Sequence, residues 1–162
     1  MRLFLLIALS VLLGDVATKV IVHRAMQLGD PSIPVLGDWL RLTYTRNPGS
    51  AFSLFSGSRW FFIGVAVLSI ILILSLAVSR RHSGPWMRAA FGLILGGAVG
   101  NLADRIWLGT VIDFLDMGIG AHRWPVFNVA DIGVTVGVAL LVVRLLTEKH
   151  PRDPEIPEPG RE

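Results

Sequence analysis

Long apolar runs alternate with shorter polar stretches along the chain, and their spacing predicts four membrane-spanning helices. Leu3 to Val22 is apolar over about 20 residues, enough for ~30 Å of hydrocarbon, and Asp15 and Lys19 are its only charges. Met1-Arg2 followed by Leu3 to Leu13 also resembles the start of a cleavable signal peptide. Apolar sequence resumes at Val20-Ile21-Val22, however, which favours a retained span. Trp60 to Val78 carries no charge and is bounded by Trp60-Phe61-Phe62 on one side and Arg80-Arg81 on the other. The remaining spans are placed at about 86–107 and 129–146.

Residues 23–58 are rich in breakers (Pro31, Pro34, Gly37, Asn47-Pro48-Gly49, Gly57) and read as an extramembrane loop. Within it, Leu40, Leu42 and Tyr44 alternate with Arg41, Thr43 and Thr45, the period of a short strand lying on the membrane. The stretch from Gly109 to Pro125, with Asp113, Asp116, His122 and Arg123, reads as a second loop. The predicted fold class is thus an all-α membrane protein of four transmembrane helices with a small β-containing outer loop over the site. Residues 1–147 make one domain, and 148–162, with four prolines and alternating charge, is expected to be a disordered cytoplasmic tail.

Lys and Arg in short loops favour the cytoplasm, so the Arg80 to Arg88 connection is assigned inside and loop 23–58 outside. Both termini are then cytoplasmic. At 1.5 Å per residue, Asp104 lies roughly 24 Å beyond Arg88 and Asp15 roughly 18 Å beyond Leu3. Asp113 and Asp131 flank the outer end of the last span. Distant parts of the sequence therefore converge on one layer at the outer face.

Ionised groups beside hydrocarbon cost several kcal/mol unless paired or watered, so this layer is a candidate site. Asn101, Asp104 and Arg105, at i, i+3 and i+4, project together. Asn128 and Asp131 fit the N-cap and third position of a helix, and capping alone would explain both. Asp15 and Lys19, one turn apart, fit a structural ion pair as well as a site. Gly92, Gly96 and Gly100 recur every four residues, a spacing that lets a neighbouring helix approach closely.

Composition narrows the chemistry. The chain has 162 residues, 52% of them hydrophobic and none of them Cys, which excludes thiolate zinc sites and Cys nucleophiles. The arginines are spread among apolar segments, so the net charge of +3 fits membrane topology, and no nucleic-acid partner is expected. Apart from His122 no histidine lies near the carboxylates at metal-ligand spacing, which leaves an all-oxygen site as the open metal option, and His23, His82 and His150 are misplaced for a Ser-His-Asp triad. Two carboxyl groups sharing a site can act as acid and base and cleave an amide. Intramembrane carboxylates also suit a proton pathway, and composition does not choose between the two.

The ordered blocks Asp15-Val16-Ala17-Thr18-Lys19, Asn47-Pro48-Gly49-Ser50-Ala51-Phe52, Gly96 to Arg105, Val111-Ile112-Asp113-Phe114 and Phe127-Asn128-Val129-Ala130-Asp131 resemble the bacterial lipoprotein signal peptidases, also called type II signal peptidases. They cover most of the chain from Asp15 to Leu146. The resemblance implies an aspartic endopeptidase of the bacterial inner membrane, removing the signal peptide of prolipoproteins just before a diacylglyceryl-modified cysteine. It implies Asp113 and Asp131 as the catalytic pair, with Asp104 the next choice. Asp15, Lys19, Asn47, Gly49, Asn101, Asp104, Arg105 and Asn128 are implied as substrate-binding and structural residues. Ser50, where the family often has Ala, and Ile132, where a small or hydroxylated residue is common, are departures that touch no carboxylate.

On this reading the partners are diacylglyceryl-modified prolipoproteins and membrane lipids, the chain is expected to be a monomer, and no cofactor or metal is needed. The strand around Leu40, Leu42 and Tyr44 is expected to cover the site and offer an edge to extended substrate. The competing function is a small proton-coupled carrier or membrane subunit, disfavoured because the inner halves of the spans lack ionisable groups. A non-catalytic adaptor gives no reason for carboxylates at the outer face. Asp131, at a helix start, is expected to be the base, and Asp113, raised by repulsion from it, the acid.

Overall fold

The structure is a computed structural model in which residues 1–49, 59–80 and 84–147 are described. The expected disordered tail, the Ser50-Ala51-Phe52 part of the second motif, and Arg81 lie outside those residues. The elements in chain order are α1 (Arg2–Ala25), β1 (Ile33–Leu36), β2 (Leu40–Asn47), α2 (Arg59–Ser79), α3 (Pro85–Leu108), β3 (Val111–Ile119), β4 (His122–Arg123) and α4 (Val129–Thr147).

Three of the helices, α1, α2 and α4, are long and apolar enough to cross a membrane. Their exposed side chains are largely apolar: Leu6, Leu9 and Leu13 of α1, Leu68 and Ile71 of α2, and Val143 and Leu146 of α4 all face outward. Such a surface is stable only against lipid. The fourth, α3, has the length of a span but carries Arg88, Asp104 and Arg105 among its glycines. It packs against each of the other three helices. Pro85 opens it and Gly109, in the left-handed conformation at φ 77°, ends it.

Close approach of backbones builds this arrangement. A Cβ on Gly92 or Gly96 would strike the carbonyl oxygens of Phe4 and Ala8 in α1, and one on Gly97 would strike that of Ala130 in α4. Gly137 meets α3 at Ala90 in the same way. The glycines thus serve two interfaces, because Gly97 lies round the helix from the Gly92 and Gly96 row. Phe4, Ile73, Ala77, Met87, Phe91 and Ile94 close one end of the bundle, joining α1, α2 and α3. Val22, Met26, Tyr44, Ile112 and Phe114 close the other, joining α1 to the sheet.

The sheet departs most from expectation. It has four antiparallel strands in the order β1-β2-β3-β4 and draws on both polar stretches. The stretch expected as a second loop is instead β3 and β4. Val111, Ile112, Asp113 and Phe114 are all buried, so β3 is covered on both faces and shows no alternation in sequence. β2 pairs with β1 on one side and β3 on the other, so it has no free edge to offer a substrate. Tyr44 points into the apolar cluster rather than over the site. Helix α1 runs on to Ala25, past the expected loop start at residue 23, so His23 and Arg24 sit in its last turn.

This packing makes Gly97 intolerant of bulk. Gly97→Leu is expected to cost about 3 kcal/mol of stability through forced separation of α3 and α4. Gly64→Ala, with open space around its Cβ, is expected to change stability by less than about 1 kcal/mol. Thermal melting of both variants in one detergent checks the contrast.

Candidate active site

Helix and strand termini bring Asp113 and Asp131 to opposite sides of a single residue, Asn128. Asn128 caps α4: its Oδ1 accepts the Asp131 N–H at 2.9 Å, and the Asp131 Oδ2 accepts the Asn128 N–H at 3.2 Å. This reciprocal pair satisfies two N–H groups that a helix start leaves free. The same Asn128 side chain donates from Nδ2 to Asp113 Oδ1 at 2.6 Å and to the Ile112 carbonyl at 3.2 Å. Asn128 is fully buried, and an amide is one of the few side chains able to accept on one side and donate on the other there.

Each carboxylate has one further amide donor. Asn47, at the end of β2, donates to Asp113 Oδ2 at 3.0 Å, and Asn101 of α3 donates to Asp131 Oδ1 at 2.8 Å. The Asn47 Oδ1 accepts the Gly49 N–H at 2.8 Å, closing a side-chain turn. Gly49 has φ 93° and lies against the Phe62 ring, so both conformation and space require glycine there.

Behind Asn101 lies a cluster of charges. Lys19 forms ion pairs with Asp15 at 2.7 Å and Asp104 at 2.9 Å, and donates to Asn101 Oδ1 at 3.0 Å. Asp15 Oδ1 accepts the Ala130 N–H of α4 at 2.9 Å, and Asp104 Oδ2 accepts the Ile112 N–H of β3 at 3.0 Å. Arg105 donates to the Asn101 carbonyl at 3.1 Å and stacks over the Phe62 ring, 5.7 Å from its centroid. Every residue named from sequence as a site candidate thus falls in one connected group. Asp104 is turned toward Lys19 and the backbone of β3.

The two aspartates differ in surroundings. Asp113 is 2% exposed, whereas Asp131 is half-buried. Burial first, and the nearby Asp131 carboxylate second, push the Asp113 carboxyl up to about 6, against the pull of the Asn47 and Asn128 amides and of Lys19. The expected cause, repulsion alone, is the smaller one. Among the described residues no group of three or more His, Asp or Glu side chains is arranged to hold a metal ion.

Two apolar cavities meet at Asp131. One, about 590 Å³, lies between sheet and α4 and is walled by Trp39, Met117, Trp124, Phe127, Ile132 and Val136. The other, about 550 Å³, lies between α2 and α4 over α3, with Ala66, Ile73 and Val138 on its walls and Asn101 and Arg105 at its polar end. Asp131 and Thr135, one helical turn apart, line both. Thr135 and the aromatic walls were not singled out from sequence as site residues, although the i+4 spacing from Asp131 marks Thr135 as its neighbour. Also unforeseen is the bracing of the sheet. Asp116, buried, accepts from Thr43 at 2.8 Å and Arg123 at 2.6 Å, and the Arg123 guanidinium also reaches the Asp38 carbonyl beside Trp39 at 3.1 Å.

Comparison with known proteins gives a consistent picture. A model of the family described as signal peptidase (SPase) II matches residues 7–147. A lipoprotein signal peptidase of Geobacter sulfurreducens is 44% identical over 156 residues, covering 94% of this chain and 97% of that protein. The Moorella thermoacetica protein of the same name is 43% identical, over 88% of this chain and 92% of its own length. That of Staphylococcus aureus is 35% identical, over 94% and 93%. A bacterial membrane enzyme solved by the in meso method at 1.9 Å resolution superposes with a TM-score of 0.83 at 34% identity, over 90% of this chain and 94% of that one.

The surroundings of Asp113 generate a prediction. Its carboxyl is expected to titrate near 6 in the folded protein. Asn47→Ala removes a donor to the ionised form and is expected to move that midpoint up, to about 7. Carboxyl ¹³C resonances followed against pH in aspartate-labelled protein check both values. An unmoved midpoint in the variant would deny that Asn47 stabilises the charge.

Proposed function

The chain belongs to the signal peptidase II family, whose members remove signal peptides from prolipoproteins, and we propose that it does so as a membrane-embedded aspartic endopeptidase using Asp113 and Asp131. The observation that carries this reading is the shared Asn128, which joins one carboxyl group to the other where two apolar cavities meet. Nothing in the arrangement favours the carrier alternative, which the family relationship does not support.

Asp131, set among N–H donors and half-exposed to the cavities, takes a proton from water, whose oxygen attacks the scissile carbonyl carbon. Asp113, whose hold on a proton burial strengthens, delivers that proton in its protonated form as the carbonyl oxygen gains charge. Collapse of the tetrahedral intermediate breaks the C–N bond, and the leaving nitrogen takes a proton from Asp131. A hydroxyl of the collapsing intermediate returns its proton to Asp113 as the product carbonyl re-forms, which restores the single proton of the carboxyl pair. Arg105, at the polar end of the second cavity, offers N–H donors to the substrate backbone. Asn47, Asn101 and Asn128 hold the carboxyl groups, while Asp15, Asp104 and Gly49 hold the elements that carry them.

We further infer a bacterial inner-membrane protein with cytoplasmic termini and α3 as a fourth crossing, which places the site at the outer face. Residues 1–147 then form one catalytic domain. The substrate is a prolipoprotein whose cysteine carries diacylglycerol, cut on the N-terminal side of that residue. Its acyl chains anchor the bond in the layer where Asp113 and Asp131 lie. Trp39 and Trp124, half-exposed or more at the mouth of the first cavity, suit this interface.

Asp113→Asn and Asp131→Asn are each expected to lower turnover by about 10⁴-fold or more with wild-type melting behaviour, and the double variant to be scarcely worse than either. Full turnover by Asp113→Asn with a dead Asp104→Asn would make Asp104 the partner instead. Purified protein assayed for signal-peptide release from lipid-modified prolipoprotein supplies the measurement. In the same assay, prolipoprotein lacking the diacylglyceryl group is expected to be cut at least about tenfold more slowly, since anchoring raises its effective concentration at the site. Equal rates on both substrates would remove the anchoring argument.

A further inference from the structure

Lys19 belongs to the implied substrate-binding set, yet its side chain is 4% exposed and lines neither cavity. An ammonium has three N–H donors. Lys19 donates one to Asn101 Oδ1 at 3.0 Å, and its ammonium is in ion-pair contact with Asp15 Oδ2 at 2.7 Å and Asp104 Oδ2 at 2.9 Å. The ammonium is thus enclosed by acceptors of the protein itself.

The third contact matters for chemistry. An ammonium only donates, so Asn101 must turn its oxygen toward Lys19. That oxygen also lies 3.1 Å from Asn128 Nδ2, whose two N–H groups are shared among Asn101 Oδ1, Asp113 Oδ1 and the Ile112 carbonyl. The Asn101 amide nitrogen is thereby directed at Asp131 Oδ1, 2.8 Å away. A flipped Asn101 would set its NH₂ against an ammonium and against a second NH₂, and would turn an oxygen toward a carboxylate. We propose that Lys19 is a positioning residue for the peptidase reaction, fixing the Asn101 amide so that it donates to Asp131. The proposal rests on the reading of Asp113 and Asp131 as the acid–base pair.

The charge balance around Asn101 fits this role. The charged and titratable groups facing it are Lys19 and Asp15 on α1, Asp104 and Arg105 on α3, Asp113 on β3 and Asp131 on α4. Lys19 is neutralised by Asp15 and Asp104, so its effect on Asp131 passes through the orientation of one amide as well as through its charge. With Lys19 replaced by a neutral residue, Asn101 loses one of the restraints on its orientation, and its donation to Asp131 is held less firmly.

The test uses full-length protein in detergent, assayed on lipid-modified prolipoprotein across pH, with Lys19→Arg and the charge-balanced pair Lys19→Gln/Asp15→Asn. Asn at position 15 still accepts the Ala130 N–H. The pair is expected to lower kcat by about tenfold or more with KM within about twofold, and to move the acidic limb of the profile up by about half a pH unit or more. Lys19→Arg, which keeps the charge and also only donates, is expected to hold the acidic limb in place and recover part of kcat. A KM raised about tenfold with kcat and limb unchanged would make Lys19 a substrate contact and overturn the proposal. A lowered melting temperature with wild-type kcat, KM and limb would reduce it to a structural ion pair. If the balanced pair does not fold, Lys19→Arg decides: a lowered kcat with KM and the acidic limb in place supports the proposal, and either a displaced limb or wild-type kcat overturns it. Activity in Asp113→Asn, measured alongside, would sink the acid–base pair itself. A dead Asp113→Asn beside wild-type behaviour of the Lys19 variants would sink only the inference about Lys19.

Discussion

A lysine ammonium buried between α1 and α3 is the constraint that the rest of the structure answers. Lys19 and Asp15 are buried on a largely apolar helix, and an uncompensated charge there would cost about 3–5 kcal/mol or more. Asp15 alone on the same helix does not suffice, because the ammonium carries three donors. Asp104 and Asn101 of α3 complete the set, which ties α1 to α3 in a fixed axial register. Asp15 and Asp104 in turn accept backbone N–H groups at the start of α4 and in β3. Four elements are thereby locked to one cluster.

Close helix packing is the condition for that cluster. Gly100 of α3 lies directly against the Asp15 carboxylate, and a side chain there would displace it. Gly92, Gly96 and Gly97 bring α3 against α1 and α4 at backbone distance. The glycine face that reads as a packing device therefore also sets the geometry of the charged layer. Its conformational cost in a helix, up to about 1 kcal/mol per residue, is offset by contacts that no larger residue permits.

The two carboxyl groups gain different properties from where their backbones come. Asp131 sits at the start of α4, with a backbone donor and an amide donor, and opens onto both cavities. Asp113 comes from a strand buried on both faces and meets only amide nitrogens. Asn128 couples them, so a change at either carboxylate reaches the other through one side chain. Apolar walls flank Asp131 on two sides, and polar interactions gain strength where such surfaces lower the local dielectric.

Local features of this protein were legible in its sequence because they depend on spacing alone. The apolar runs gave the helices, i,i+4 spacing gave the Asp15–Lys19 pair, and i,i+3 spacing gave the reciprocal cap between Asn128 and Asp131. Length and composition also separated a membrane protein from a soluble one. Tertiary structure decided the rest. β3 was hidden because burial on both faces erases the alternation that marks a strand, and its polar Asp113 and Asp116 read as loop residues. The third acceptor of Lys19, the turn of Asp104 away from the cavities, and the meeting of both cavities at Asp131 and Thr135 join residues far apart in the chain. Such contacts follow from how glycine-faced helices pack and how a buried ammonium is satisfied, neither of which a single stretch of sequence contains.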